Sequence, residues 1–346
     1  SMENAHALLV IRANMSQRCS LIIHFIRGCI RKEEECDDSN GDLGELIIET
    51  GNLLAKSLKG ISADETLLQE LIQLHKKADD YGVEDSVYNA LKGLDNSGLQ
   101  TLEKIITNRK ENEFKWLLRE IIDLQGKHDE YIKMCCESKD YSEAIEKLRE
   151  IGRIDDAIKL AKEKSKEDDW LQEDLFDLYV EKGDMKNALV YAWKLFKDDP
   201  EDMNFVKITE VAKKLGIWKS ERTKIIQYLE SSHENNDMLI ELLLEDRNPR
   251  KALKHMKDVD EETLAKLAAA CEDEVPDASI KLYRELADKK IKRMGNDSYK
   301  IAAKYLVRLK KLYKYANQEK EWKTYITKLR EKHKPKRNFI ALIAEL

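Results

Sequence analysis

Three glycines set the terms on which this chain can fold. Gly152, Gly183 and Gly216 stand 31 and 33 residues apart, and five residues beyond the first two come Ala157 and Ala188. Ahead of the middle glycine, Leu171, Leu175, Leu178 and Tyr179 fall on one stripe of a 3.6-residue period. Ala188, Leu189, Ala192, Leu195 and Phe196 repeat that pattern behind it. The stretch 153–200 therefore predicts helix, turn, helix, with Gly183-Asp184 stopping one helix and letting the next fold back. A hairpin of this kind hides only part of its apolar surface, so neighbouring hairpins must stack on it.

A period near 34 with a small residue at the tight crossing is that of tetratricopeptide-type helix pairs. Tyr179, Gly183, Ala188, Leu189 and Pro200 fall where such a repeat carries its aromatic, turn, small and terminal residues. The third unit breaks the pattern, since Glu221 takes the place of the small residue, and Ala252 restores it 31 residues later. Asp140-Tyr-Ser-Glu-Ala-Ile and Arg153-Ile-Asp-Asp-Ala-Ile are near copies thirteen residues apart. The expected fold class is all-α, an α-solenoid of stacked antiparallel helix pairs with degenerate tetratricopeptide-like repeats. Its expected regions are an N-terminal helical part (3–126), the repeats (127–274) and basic C-terminal helices that cap the array (275–346).

The remaining signals fit this reading. An apolar pattern runs over 4–34 through Leu8, Leu9 and Ile11, and Glu33 to Asp42 form an acidic connection. Ser62 and Glu65 have the spacing of a capping box. Lys92 to Gly98 predict a turn, Tyr81-Gly82 a helix end, and Pro276 a first helical turn. A long helix is expected from about Ser298, with Trp322, Tyr325, Ile326 and Leu329 on its partner and a short helix at Phe339. No stretch alternates long enough to be a strand.

Composition narrows the class further. Thirteen Gly and four Pro are few for 346 residues, and 37% charged beside 42% hydrophobic residues is what amphipathic helices need. No run of about 18 uncharged apolar residues exists, and the start lacks the succession of a signal peptide, so cytoplasmic residence is expected. Ser1-Met2 reads as an appended remnant. Six cysteines, at 19, 29, 36, 135, 136 and 271, are scattered and predict reduced, mostly buried thiols. Charge is segregated: residues 281–337 carry 20 Lys and Arg against 6 Asp and Glu, or +14, leaving −20 for the rest of a chain whose total is −6. Such a division is compatible with an anionic partner, with self-pairing, or with a solvated face.

Two segments resemble the helical C-terminal region of SWIM zinc-finger proteins. One is Asp37-Asp-Ser-Asn-Gly-Asp-Leu-Gly-Glu-Leu-Ile; the other runs from Tyr299-Lys-Ile-Ala-Ala-Lys-Tyr-Leu-Val-Arg to Tyr313 and continues as Glu321-Trp-Lys-Thr-Tyr-Ile to His333. The resemblance implies a repeat-like helical region attached to a zinc module associated with nucleic-acid or protein binding. The family's zinc motif, Cys-x-Cys followed by Cys-x-His, is absent here, so no zinc ligand transfers to any residue, and the module is expected upstream.

Motifs that carry chemistry do not accumulate. Cys135 and Cys136 are adjacent and diverge on a helix, while His128 with Cys135, or Cys29 with Cys36, share at most a face, which favours core thiols over metal. Asp38, Asn40 and Asp42 alternate oxygen ligands, but Cys36 and Ile47 stand where a calcium loop needs its first and last acids. Gly93 and Gly98 have phosphate-loop spacing, yet Leu99-Gln100 follow instead of Lys and Ser or Thr. No nucleophile elbow, zinc-protease helix or dinucleotide turn occurs, so no catalytic residue, metal or cofactor is assigned.

The basic block offers more. Lys289, Lys290, Lys292, Arg293, Lys304, Arg308, Lys310 and Lys311 are the candidate phosphate contacts. Tyr283, Tyr299, Tyr305, Tyr313, Tyr315, Trp322 and Tyr325 lie among them, as in single-strand platforms. Tyr305 and Tyr313 fall on the apolar stripe of their helix, which favours packing. The leading expectation is a non-catalytic scaffold for protein partners. The alternative is nucleic-acid contact through those eight cations. Oligomeric state is left open.

Overall fold

The computed structural model describes residues 15–33, 42–59, 64–75, 83–109, 114–166 and 170–346, and among them every regular element is helical. Leu8, Leu9, Ile11, the acidic stretch 34–41 with Cys36, Asp38 and Asn40, Ser62, and Tyr81-Gly82 lie outside the described residues. Two compact units divide the chain, Ser1–Asp174 and Leu175–Leu346.

The first unit opens with α1 (Met15–Glu33), α2 (Asp42–Leu58), α3 (Glu65–His75), α4 (Val83–Leu91), α5 (Asn96–Arg109) and α6 (Lys115–Leu124). α1 packs on α2 and α3, α2 on α4, α3 on α4 and α5, and α6 on both α4 and α5. Contact with the next helix and the next but one is the signature of stacked helix pairs. One apolar cluster fills this stack, from Cys19, Ile23 and Ile26 through Leu68 and Leu71 to Phe114 and Ile121. Gly93 belongs to that packing, because a Cβ there would overlap the Ala55 carbonyl. The Gly98 N–H donates to Asp95 Oδ1 at 2.7 Å, which caps α5 and starts it at Asn96, inside the stretch expected to be turn. The glycine pair at 93 and 98 thus serves close packing and a helix start. The cap of α3 within the described residues is Asp64, whose Oδ1 accepts from Leu67 N at 2.8 Å.

From α6 onward the helices follow one another in file, α7 (His128–Ser138), α8 (Tyr141–Glu150) and α9 (Ile154–Lys164), each on its predecessor. The two near-copied segments start α8 and α9, and their alanines, Ala144 and Ala157, are fully buried. Then comes α10 (Leu171–Glu181), the helix ahead of Gly183.

The second unit continues with α11 (Met185–Asp198), α12 (Asp202–Lys214), α13 (Trp218–Ser232), α14 (Asn236–Glu245), α15 (Pro249–Ala252, extended by a 3₁₀ turn over Leu253–His255) and α16 (Glu261–Ala270). It ends with α17 (Pro276–Arg293), α18 (Asn296–Tyr315), α19 (Glu319–Lys332) and α20 (Arg337–Leu342). Tyr179 stacks on Tyr191 with ring centroids 5.6 Å apart, joining the helices on either side of Gly183. Packing from α11 to α19 is serial, with α14 also on α16 and α18 also on α20.

One turn recurs throughout. Gly126, Gly152, Gly183 and Gly216 have φ between 70° and 78°, and Lys139, Arg247 and Asn317 take the same left-handed conformation at 65°, 53° and 56°. The residue after each donates its N–H to the carbonyl five positions back, for example Asp184 to Tyr179 at 2.9 Å and Asn248 to Leu243 at 2.9 Å. This double-bonded stop satisfies carbonyls that a helix end leaves open. Ala157, Ala188 and Ala252 are fully buried, as a close crossing requires. Glu221, the exception, is also buried, at 2% exposure. Its Oε2 accepts from Trp193 Nε1 at 2.8 Å and its Oε1 from Lys224 Nζ at 2.7 Å. Burial alone would push this carboxyl up, but the bonds from Lys224 and Trp193 outweigh it and hold it below the ordinary value.

Candidate functional site

α18 is twenty residues long and buries Ala302, Leu306, Leu309, Leu312 and Tyr313 against its neighbours. At 100° per residue, Lys304, Arg308 and Lys311 fall within about 60° of one another on a different face. Between and beyond them stand Val307, 42% exposed, and Tyr315, 71% exposed. Together with Glu272 and Asp273, just past the end of α16, these side chains line a groove of about 600 Å³. Cations and apolar groups share one wall; carboxylates form the other.

Arg308 bridges the two walls. Its Nη1 lies 2.5 Å from Glu272 Oε1 and donates to the Tyr283 hydroxyl at 3.2 Å, while that hydroxyl donates to the same Glu272 oxygen at 2.7 Å. The bond to Glu272 raises the guanidinium further above its ordinary value. Burial and the Glu272 bond push the Tyr283 hydroxyl up as well.

The eight candidate phosphate contacts are dispersed. Lys304, Arg308 and Lys311 share the groove. Lys310 points its Nζ to the Glu345 carbonyl at 3.4 Å. On α17, Lys289 pairs with Glu285 at 3.0 Å and Lys290 pairs with Glu261 of α16. Lys292 and Arg293 occupy the exposed last turn of α17, where cations complement the helix dipole. Of the interleaved aromatics, Tyr283, Tyr299, Tyr313 and Trp322 are buried, and Tyr315 is the one fully on the surface. Tyr299 packs on Phe339 and Tyr313 on Trp322. Sequence reasoning named Lys304, Arg308, Lys311 and Tyr315 but missed Val307, Glu272 and Asp273. The helical spacing of Val307 between Lys304 and Arg308 was the available signal.

Titratable groups also converge in the first unit, where α6, α7 and α8 meet. Lys147 Nζ lies 2.8 Å from Asp123 Oδ2 and also pairs with Glu150, His128 Nδ1 lies 3.2 Å from Asp123 Oδ1, and the Tyr131 hydroxyl donates to Glu143 Oε1 at 2.6 Å. These bonds tie α6, α7 and α8 together. His128 and Cys135, the pair able to share a face, go separate ways: Cys135 Sγ accepts from Arg119 Nη1 at 3.6 Å. Among the described residues no three His, Cys, Asp or Glu side chains converge to hold a metal ion. The five described cysteines form no disulfide, and burial pushes the Cys19 and Cys271 thiols up to about 11. No described helix is long and apolar enough to cross a membrane.

No family model matches the chain, and no curated protein matches it. Solved structures align with it, among them the following two. A structure described as Naa15/Naa10 bound to HypK-THB matches at 19% identity and a TM-score of 0.31, over 78% of this chain and 42% of that one. A circular tandem repeat protein with novel repeat topology matches at 16% identity and a TM-score of 0.14, over 95% of this chain and 74% of that one. The chain therefore spans less than half of the first of these. At these scores neither likeness bears on what this chain binds, and the stacked-pair fold rests on the packing of its own helices.

Proposed function

We propose that the chain is a non-catalytic, cytoplasmic helical-repeat scaffold for protein–protein interaction, and that the α18 groove takes an acidic, partly apolar segment of its partner. The observation that carries this reading is the placing of exposed Val307 and Tyr315 among Lys304, Arg308 and Lys311. Side chains of that mix complement carboxylates and apolar groups on one peptide. A phosphate backbone is served less well, because Glu272 already neutralises Arg308 and Asp273 adds a repelling charge. The resemblance to the helical region of SWIM zinc-finger proteins is part of the proposal, supported by the residue patterns in 37–47 and 299–333, the latter lying on the consecutive helices α18 and α19.

A photoreactive side chain at position 315 tests the groove. Cross-linked peptides identified by mass spectrometry should carry Asp or Glu beside apolar residues, and Lys304→Glu with Lys311→Glu should abolish them. Cross-links that survive both charge reversals remove the reading. Cross-links to nucleic acid, with affinity falling roughly a thousandfold between 50 and 200 mM salt, replace it with phosphate contact.

A further inference from the structure

A second cavity of about 600 Å³ lies elsewhere in the second unit, where three turns come together: α11 to α12, α13 to α14, and the stretch before α16. Nine carboxylates line it and no lysine or arginine does, although Lys266 reaches one of them from outside, pairing with Glu241 at 2.6 Å; Asp199, Asp202, Glu234, Asp237, Asp258 and Asp260 represent the three turns. Part of this acid is architectural. Asp260 Oδ1 caps α16 by accepting from Thr263 N at 2.7 Å, and Asp237 Oδ1 accepts from Asp260 N at 3.0 Å.

Asn236 is not explained in that way. It is 8% exposed, it lines the cavity, and its amide is fixed because Nδ2 donates to the Lys257 carbonyl at 2.8 Å. Its Oδ1 is buried with no hydrogen-bond partner among the described residues. A buried acceptor left unmade costs roughly 1–3 kcal/mol, and a donor brought by a ligand would recover it. That acceptor and the carboxylates together ask for a ligand rich in N–H donors and positive charge. No three of the acids converge on a metal-sized point, so the charge is spread over three turns and fits an extended cation better than a single ion.

We propose that this cavity binds a lysine- or arginine-bearing segment of a protein partner, with one cationic side chain donating to Asn236 Oδ1 and others held by the surrounding carboxylates. Successive helix pairs each contribute one turn, which is how repeat proteins read an extended peptide. The site is distinct from the α18 groove and stands or falls independently of it.

Fluorescence anisotropy of a fluorescein-labelled hexa-arginine peptide against the full chain at 50 mM salt is the test. Asn236→Ala, and separately the surface pair Asp199→Asn with Asp202→Asn, should each weaken binding about tenfold, the loss expected for one charge-assisted hydrogen bond. Glu319→Gln with Glu321→Gln changes the net charge equally outside the cavity and should leave binding intact. Circular dichroism checks that Asn236→Ala folds, and the surface pair keeps the test decisive if it does not. Unchanged binding in both cavity variants, or equal loss in the control pair, overturns the proposal. So does spermine binding as tightly as the peptide, which assigns the site to free polyamines, or stoichiometric calcium binding that the cavity variants abolish, which makes it a metal site.

Discussion

Glu120 on α6 shows what a carboxylate endures when helices are stacked this closely. Burial comes first, and Asp123 and Glu143 add like charge, against the relief offered by Lys147 and Arg119; the balance pushes its carboxyl up from 4.5 to about 7. A raised folded-state value means that the folded protein holds this proton after the unfolded chain has lost it. The favourable contribution is therefore complete below about 4.5 and is lost as pH rises to about 7. Glu120→Gln should raise stability by about 1 kcal/mol at pH 8, discounted for partial exposure, and change it little at pH 4. Urea unfolding at the two pH values reads the difference directly. An equal effect at both would mean that the carboxyl titrates normally. Glu221 is the opposite case, buried but supplied with donors, so its value falls. Its position in the repeat was legible in the sequence, since it stood where an alanine was due. Its partner Trp193 was not legible, because twenty-eight residues of chain separate them and only the stacking of two pairs brings the indole to the carboxylate. The same reason hid the Lys290–Glu261 pair: helical spacing says which residues share a face, and says nothing of what the opposite helix places there.

At the scale of the element, the helix stops decide how much of the fold can be read ahead of the coordinates. Gly126, Gly152, Gly183 and Gly216 announced their turns because a left-handed residue without Cβ is conformationally cheap. Lys139 and Arg247 make the same turn with side chains that give no such notice, and Asn317 makes it with the one non-glycine side chain that commonly takes this conformation. The short α15 follows from this region as well, since Asn248 caps it and Pro249 starts it, but Ala252 is already its end. Helix starts were less legible, because one aspartate in the right place, Asp95 for α5, outweighs a glycine three residues on. The contrast between glycine and non-glycine stops is testable. Arg247→Gly should raise stability by about 1 kcal/mol by removing left-handed strain, offset in part by the freer unfolded chain, and Gly183→Ala should lower it by a similar amount. Thermal unfolding of the two variants should shift the midpoint in opposite directions; shifts of the same sign would show that turn conformation does not limit stability here.

Across the second unit the packing is largely serial: α13, α15 and α16 touch α14, and α18 packs chiefly on α17, with Arg308 reaching Glu272 just past α16. Where each element leans on its neighbours, stability is a sum of local and nearest-neighbour contributions, and damage stays near its source. Leu239 on α14 is completely buried, so Leu239→Ala should cost about 2–5 kcal/mol in that neighbourhood. Hydrogen exchange followed by mass spectrometry should then show lost protection over α13 to α16 and native protection over α18 and α19. The cavity at Asn236 would open with its own helices, while the groove on α18 kept its shape. Loss spread evenly to α19 would mean that the unit opens as one block, and that ligand binding at either place would be felt at the other.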